Sequence, residues 1–115
     1  MNSFETGRKA EQAAAAYLER HNCQIIVQNW RTRLCEIDII AKRDNTIYFC
    51  EVKYRKTNQH GSGIEYITPH KLKQMHFAAE SWIHRRRHRW PGNFQLAAIE
   101  VSGEFFRITN VVKFD

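Results

Sequence analysis

A chain of 115 residues falls near the commonest length for one domain, which is long enough to bury a single core and too short for a second. Apolar residues make up 43% of it, and no uncharged apolar run approaches the roughly 18 residues of a membrane span, which sets aside a membrane role. The formal charge is +6, and it is regional: Lys53 to Trp90 carries nine Lys/Arg against two Asp/Glu, whereas the remainder is close to balanced at nine against ten.

The amino-terminal "MNSFETGRK" lacks the apolar stretch of a secretory signal. The three cysteines, Cys23, Cys35 and Cys50, have no zinc-site spacing and are expected to fill core space. Together these point to a reducing cytoplasm. Residues 6 to 21 follow, with Ala10, Ala13, Ala14, Tyr17 and Leu18 in the spacing of an amphipathic helix, Thr6 as its N-cap and Asn22 as its stop. At 100° per residue Glu11 points within roughly 20° of Leu18, so its carboxylate borders the buried stripe. On spacing alone this is a helix-edge residue whose stem packs and whose head reaches water.

Cys23 to Trp30 form a β-branched run, and "RTRL" connects it to "CEIDIIAKRDNTIYFCEVKYRK", residues 35 to 56, which reads as two strands joined by the two-residue turn Asp44-Asn45. With that turn, paired residue numbers sum to 89. Ile40 then faces Phe49, Ile39 faces Cys50, Ile37 faces Val52, Asp38 faces Glu51 and Glu36 faces Lys53. Alternation puts Ile37, Ile39 and Ala41 on an apolar face, with Glu36, Asp38 and Ile40 opposite. Directly opposed residues have Cβ atoms roughly 4.5 to 5.5 Å apart, and like charges there repel. Either a shared proton or a cation must offset Asp38 against Glu51, and two hard carboxylates at that separation suit Mg²⁺ or Mn²⁺. Lys53 leans onto the same face, where an ammonium can hold an attacking water or steady charge on a phosphate. The plain alternative is a solvated ion-pair ladder of little consequence.

"KTNQHGSG", residues 56 to 63, is polar and glycine-rich and reads as a loop. Thr68-Pro69 starts a second helix whose stripe is Leu72, Met75, Ala79, Trp82 and Ile83, and which ends before "WPGN". Its last turn, "HRRRHR", holds Arg85, Arg86, Arg87 and Arg89: a dipole-favoured helix end, or a phosphate-gripping patch. His84 and His88 have zinc-ligand spacing, but no Glu or Cys lies near them in sequence and the flanking arginines repel a cation. Trp82 belongs to the core stripe, which leaves Trp90 as the stacking candidate. "FQLAAIEV" and "FFRITNVV", divided by Ser102-Gly103-Glu104, close the chain as a hairpin. The expected fold is therefore a single α/β domain over residues 1–115, of order α-β-β-β-α-β-β, with helices on a mixed five-stranded sheet whose first three strands are antiparallel.

Glu11 on a first helix, "EID" ending in Asp38, and "EVK" as Glu51-Val52-Lys53 a dozen residues later form a recognisable combination. With "NWR" at Asn29 to Arg31, "EVKYR" to Arg55, the glycine loop and Lys71, the chain resembles the YraN-like family of uncharacterised bacterial proteins over nearly its whole length. That family belongs to the PD-(D/E)XK nuclease-like superfamily and is related to archaeal Holliday junction resolvases. The resemblance implies a restriction-endonuclease-like core, with Mg²⁺ or Mn²⁺ held by Asp38, Glu51 and the backbone carbonyl of Val52. It also implies a catalytic or water-positioning Lys53, and Glu11 completing the acidic site. Arg55 and Lys71 are implied phosphate contacts. The implied activity is metal-dependent phosphodiester hydrolysis in nucleic acid, DNA foremost and branched DNA in particular, with a two-fold homodimer as a compatible assembly. The family pattern has Gly before "EID", where this chain has Cys35. A binding module of the same fold that does not cleave, and a protein-interaction subunit, are the rival expectations.

Overall fold

The structure, a computed structural model, describes residues 1–57, 67–86 and 90–114. Helix α1 (Ser3–Arg20) is followed by strands β1 (Gln24–Arg31), β2 (Glu36–Arg43) and β3 (Thr46–Arg55), helix α2 (Pro69–Arg85), and strands β4 (Asn93–Ser102) and β5 (Arg107–Phe114). The strands form one sheet in the order β1-β2-β3-β4-β5. Pairing is antiparallel except between β3 and β4, which run parallel with α2 in their connection, as parallel neighbours require a crossover. The expected mixed sheet and element order are thus those observed.

Each helix covers one face. Ala10, Ala14, Ala15 and Leu18 of α1 pack on Ile39, Ala41, Cys50, Ala97, Ile99 and Val101; Met75, Ala78, Ala79 and Trp82 of α2 pack on Ile37, Ile40, Ile47, Phe49 and Leu96. The small α1 residues let that helix lie close to the sheet, and Phe49 meets Trp82 edge-on at 5.6 Å between ring centroids.

Helix ends follow local chemistry. The α1 cap is Asn2, not Thr6: the Asn2 side chain accepts from the Glu5 N–H at 2.8 Å, while the Thr6 hydroxyl donates to the Asn2 carbonyl. Both are good caps, and the first in sequence adds nearly a turn of helix. At the other end Asn22 does stop the helix. It takes φ 66, and the N–H groups of Cys23 and Asn22 donate to the carbonyls of Leu18 and Glu19, the paired bonds of a Schellman motif. Thr68 caps α2 through Lys71 N–H, with Pro69 in the first turn. The helix ends at Arg85, short of the whole arginine run; Arg87 and Arg89 lie outside the described residues.

The β2–β3 turn is the two residues Asp44-Asn45, with Asp44 at φ 53 as a primed turn demands, and Ile40 pairs with Phe49 and Ile39 with Cys50. Beyond Ile39 and Cys50 the expectation fails: the ladder stops there, so neither Asp38 and Glu51 nor Glu36 and Lys53 are paired strand to strand. Strand β2 stays with β1, where Trp30 pairs with Ile37 and Arg31 with Glu36. Ile37 also leaves the Ile39 face and joins the α2 cluster. The cause is local. Asn29, across from Asp38 in the β1–β2 register, takes φ 54 within a strand, and the Asp38 carboxylate accepts the Val52 N–H at 2.7 Å. This side-chain acceptor takes the donor that a β2 carbonyl would otherwise engage, and the strands part there.

Candidate active site

The parting of β2 from β3 makes a notch whose wall is built by three strand residues. In a strand the N–H and C=O of one residue point to the same side, so the carbonyl of Val52 shares the Asp38 side with its N–H. Cys50 and Val52 face α1; Glu51 and Lys53 therefore project toward α2. There the Lys71 ammonium, on the first turn of α2, lies 3.1 Å from Glu51 Oε1. Asp38 and Glu51 are both half-buried, and Lys53 is exposed.

Four carboxylates act on this notch. Burial, then the charge of Glu51, push the Asp38 carboxyl from its ordinary 3.8 up to about 7, and Glu11 and Glu36 add to the rise. The Val52 N–H opposes it, because a hydrogen bond to the ionised form favours that form. Glu11 is half-buried on α1, and its charge is felt at Asp38. Glu36 instead reaches Arg31 at 3.6 Å on the exposed edge, and contributes only its field.

Among the described residues no three His, Cys, Asp or Glu side chains gather as a ready-made metal cage. A divalent magnesium-type ion does not demand one, since it commonly takes one or two carboxylates and completes its shell with water and substrate phosphate. Two half-buried carboxylates, one of which raises the proton affinity of the other, with a backbone carbonyl directed to the same side, fit such an ion; a softer metal would want nitrogen or sulfur.

The outer candidates separate. Lys71 is drawn into the acidic site itself. The Arg55 side chain is half-buried, and its Nε has no hydrogen-bond partner among the described residues. Arg85 lines an open hollow of about 600 Å³ with Arg31 and Arg33, while the exposed Arg86 has its guanidinium 4.5 Å from the Trp82 ring centre. Trp90 is half-buried, donates from Nε1 to the Asn93 carbonyl and lies beneath Lys42, so its ring is already engaged.

Sequence reading missed Glu100. It is 3% exposed, pairs in register with Lys53 across the parallel β3–β4 ladder, and accepts from the Thr109 hydroxyl at 2.8 Å through Oε1; its Oε2 has no hydrogen-bond partner among the described residues. Alternation puts it on the α2 side, beside Lys53. The only signal was a lone acid in the apolar "FQLAAIEV", and its pairing with Lys53 depends on a parallel register that no turn reveals.

Comparison with known proteins adds kinship. Residues 10–105 match the sequence model of a family described as "Uncharacterised protein family UPF0102". The chain is 36% identical over 104 residues to a UPF0102 protein of Cytophaga hutchinsonii, covering 90% of each chain. It is 41% identical over 97 residues to one from Leifsonia xyli, covering 84% of this chain and 81% of the relative. A third, from Chlorobium phaeobacteroides, is 49% identical over 77 residues, 67% of this chain and 61% of the relative.

Proposed function

The chain belongs to the UPF0102 family, as its "EID" and "EVK" motifs led one to expect, and from that kinship and the geometry of the notch we propose that it is a divalent-metal-dependent nuclease. The observation that carries the proposal is the half-buried Asp38, crowded by Glu51, Glu11 and Glu36 while its own oxygen is spent on the Val52 N–H. Folding gains nothing from such crowding; a bound cation turns each repulsion into an attraction.

Asp38, Glu51 and the Val52 carbonyl would hold Mg²⁺ or Mn²⁺. The ion would supply Lewis acidity at a phosphate and lower the pKa of water beside it. The rest falls to side chains of this chain. Lys53, flanked by Glu51 along its strand and Glu100 across it, is held by position at the mouth of the site, where its ammonium offsets charge on a phosphate oxygen. Lys71 neutralises Glu51 in the metal-free protein, and with Glu51 engaged as a metal ligand its ammonium would be free to donate to a phosphate from the first turn of α2. Glu11 adds negative field from the opposite layer. The basic stretch from Lys53 to Trp90 favours a polyanion, so the substrate class is nucleic acid, DNA foremost, with junctions and forks as the first geometries to try.

The test is a panel of linear, forked, flapped and four-way DNA with Mg²⁺ and with Mn²⁺, run alongside Asp38→Asn and Glu51→Gln. Metal-dependent cleavage by the parent, lost in both variants while DNA affinity persists, is the expected result. Affinity without cleavage by the parent would establish the non-cleaving module instead, and no affinity at low salt would leave the protein-interaction role.

A further inference from the structure

Beside the notch a groove of about 590 Å³ lies between the β1–β2 turn and the first half of α2, with Glu51 of the notch among its lining residues. Its lining is unlike the notch. Arg31 and Arg33 stand on the turn side, Lys71 and Lys73 on the helix side, and two apolar side chains, Leu34 and Phe77, open into it. Leu34 is 80% exposed and Phe77 49% exposed, so both present apolar surface to whatever enters the groove.

Neither is loose. The turn that carries Leu34 is tied by three bonds: Thr32 N–H donates to the Cys35 carbonyl at 2.9 Å, and the Leu34 and Cys35 N–H groups donate to Thr32 Oγ1 at 3.1 and 3.2 Å. Phe77 stands on α2 between the buried Met75 and Ala78, so the helix phase that buries those two holds its ring outward. Arg31 and Lys71 are paired with Glu36 and Glu51 at the notch side, which leaves Arg33 and Lys73 as the cations flanking Leu34 and Phe77, and an aromatic and an aliphatic side chain held outward beside them match a polyanion with exposed flat apolar faces. An unpaired nucleic-acid strand has both: phosphates for the cations and bases free to stack. Intact duplex presents its outer phosphates and keeps its base faces hidden.

We infer that this groove binds an unpaired nucleic-acid strand and feeds it to the acidic notch, with Phe77 as the stacking platform, Leu34 opposite as a wedge, and Arg33 and Lys73 as phosphate contacts. The inference rests on the nuclease reading and deepens it, because a site fed by a single strand acts where duplex ends in a fork, flap or junction.

The test measures binding by the full chain, in EDTA so that cleavage plays no part, to a labelled oligothymidylate and to a blunt duplex. Phe77→Ala is expected to lower affinity for the single strand by roughly ten- to a hundredfold, the usual effect of losing one stacked base, while leaving duplex affinity unchanged. Phe77→Trp restores it, and 2-aminopurine placed in the strand is quenched by the parent and not by Phe77→Ala. Arg33→Ala and Lys73→Ala each flatten the salt dependence, by about 0.7 in the logarithmic slope for each phosphate no longer neutralised. Phe77 is half-exposed, so a melting curve matching the parent verifies the fold. Unchanged single-strand affinity in Phe77→Ala, or an equal loss for single strand and duplex, would overturn the groove assignment even if cleavage were intact. Normal Phe77-dependent binding with no metal-dependent cleavage would instead overturn the nuclease reading and spare the groove.

Discussion

Replacing Asp38 by Asn should make the metal-free protein more stable at alkaline pH and leave it little changed at acid pH. The native carboxyl titrates at about 7 against an ordinary 3.8, so the folded state holds its proton more tightly than the unfolded chain. For such a group the stability contribution is complete below the unfolded pKa and is lost as pH rises through the folded one. At about 1.4 kcal/mol per tenfold difference, the full loss above pH 7 is on the order of 4 kcal/mol. Asn keeps an acceptor for the Val52 N–H and carries no charge, so it relieves the repulsion from Glu51, Glu11 and Glu36 without opening the wedge. Some of the gain is offset because a neutral acceptor makes a weaker bond to that N–H, and a net effect of about 2 kcal/mol at pH 8.5 is a fair expectation. For a chain of this size that raises the melting temperature by roughly 6 to 10 °C. The assay is thermal unfolding by circular dichroism in EDTA from pH 5 to 8.5: the parent curve should fall across that window and the Asp38→Asn curve should stay nearly level. Added Mn²⁺ should then raise the parent at pH 8.5 and not the variant, since only a ligand that prefers the folded state shifts the midpoint. Parallel pH profiles for the two proteins would refute the reasoning, for they would mean that Asp38 is not strained by its neighbours.

Lys71→Met removes the ammonium that competes for Glu51, so calorimetry should show Mn²⁺ binding tighter by about fivefold, the worth of a partly exposed ion pair of ~1 kcal/mol; unchanged or weaker binding would mean that Lys71 assists the site as it stands. A methyl at Gly92 would collide with the Asn45 backbone carbonyl, which accepts the Asn93 N–H and so joins β4 to the β2–β3 turn, and with Trp90 Nε1, which donates to the Asn93 carbonyl. Gly92→Ala should accordingly destabilise by about 1 to 3 kcal/mol in denaturant unfolding, an overpacking penalty because the nearest atom is backbone and cannot swing aside. Among the thiols, Cys50 is buried and its pKa is pushed up to about 12, and burial also raises Cys23, whereas Cys35 is half-buried at the β1–β2 turn. A thiol reagent at pH 8 should label Cys35 first by mass spectrometry, with Cys23 and Cys50 reacting only after denaturation.

Local chemistry made most of the fold legible. Asn22, Thr68-Pro69 and Asp44-Asn45 each mark an element boundary through a conformation or a bond that needs no tertiary partner, and all three act where they were expected. The alternating strands likewise disclosed the pairing of Ile40 with Phe49 and Ile39 with Cys50, because a slip of one residue would have turned the apolar set to the wrong face. What alternation could not disclose is the place where it is broken. Asp38 was expected to oppose Glu51 across an unbroken ladder; instead its carboxylate takes the Val52 N–H, parts the strands, and sends Ile37 to the other layer. Glu100 stayed hidden for a related reason, since its neighbour Lys53 is supplied by a parallel register that α2 sets and no turn announces. The same displacement that defeats the simple register sets the Asp38 carboxylate against the Val52 backbone. An intact ladder would have engaged the Val52 carbonyl with β2 and left Asp38 on a flat sheet face, where water would screen it from Glu51. Parting the strands leaves Asp38 half-buried on the Val52 N–H and within the field of Glu51, beside a groove whose cations come from the adjoining turn and helix. The charges in β2 and β3 therefore do not decorate a finished sheet: they determine where it opens.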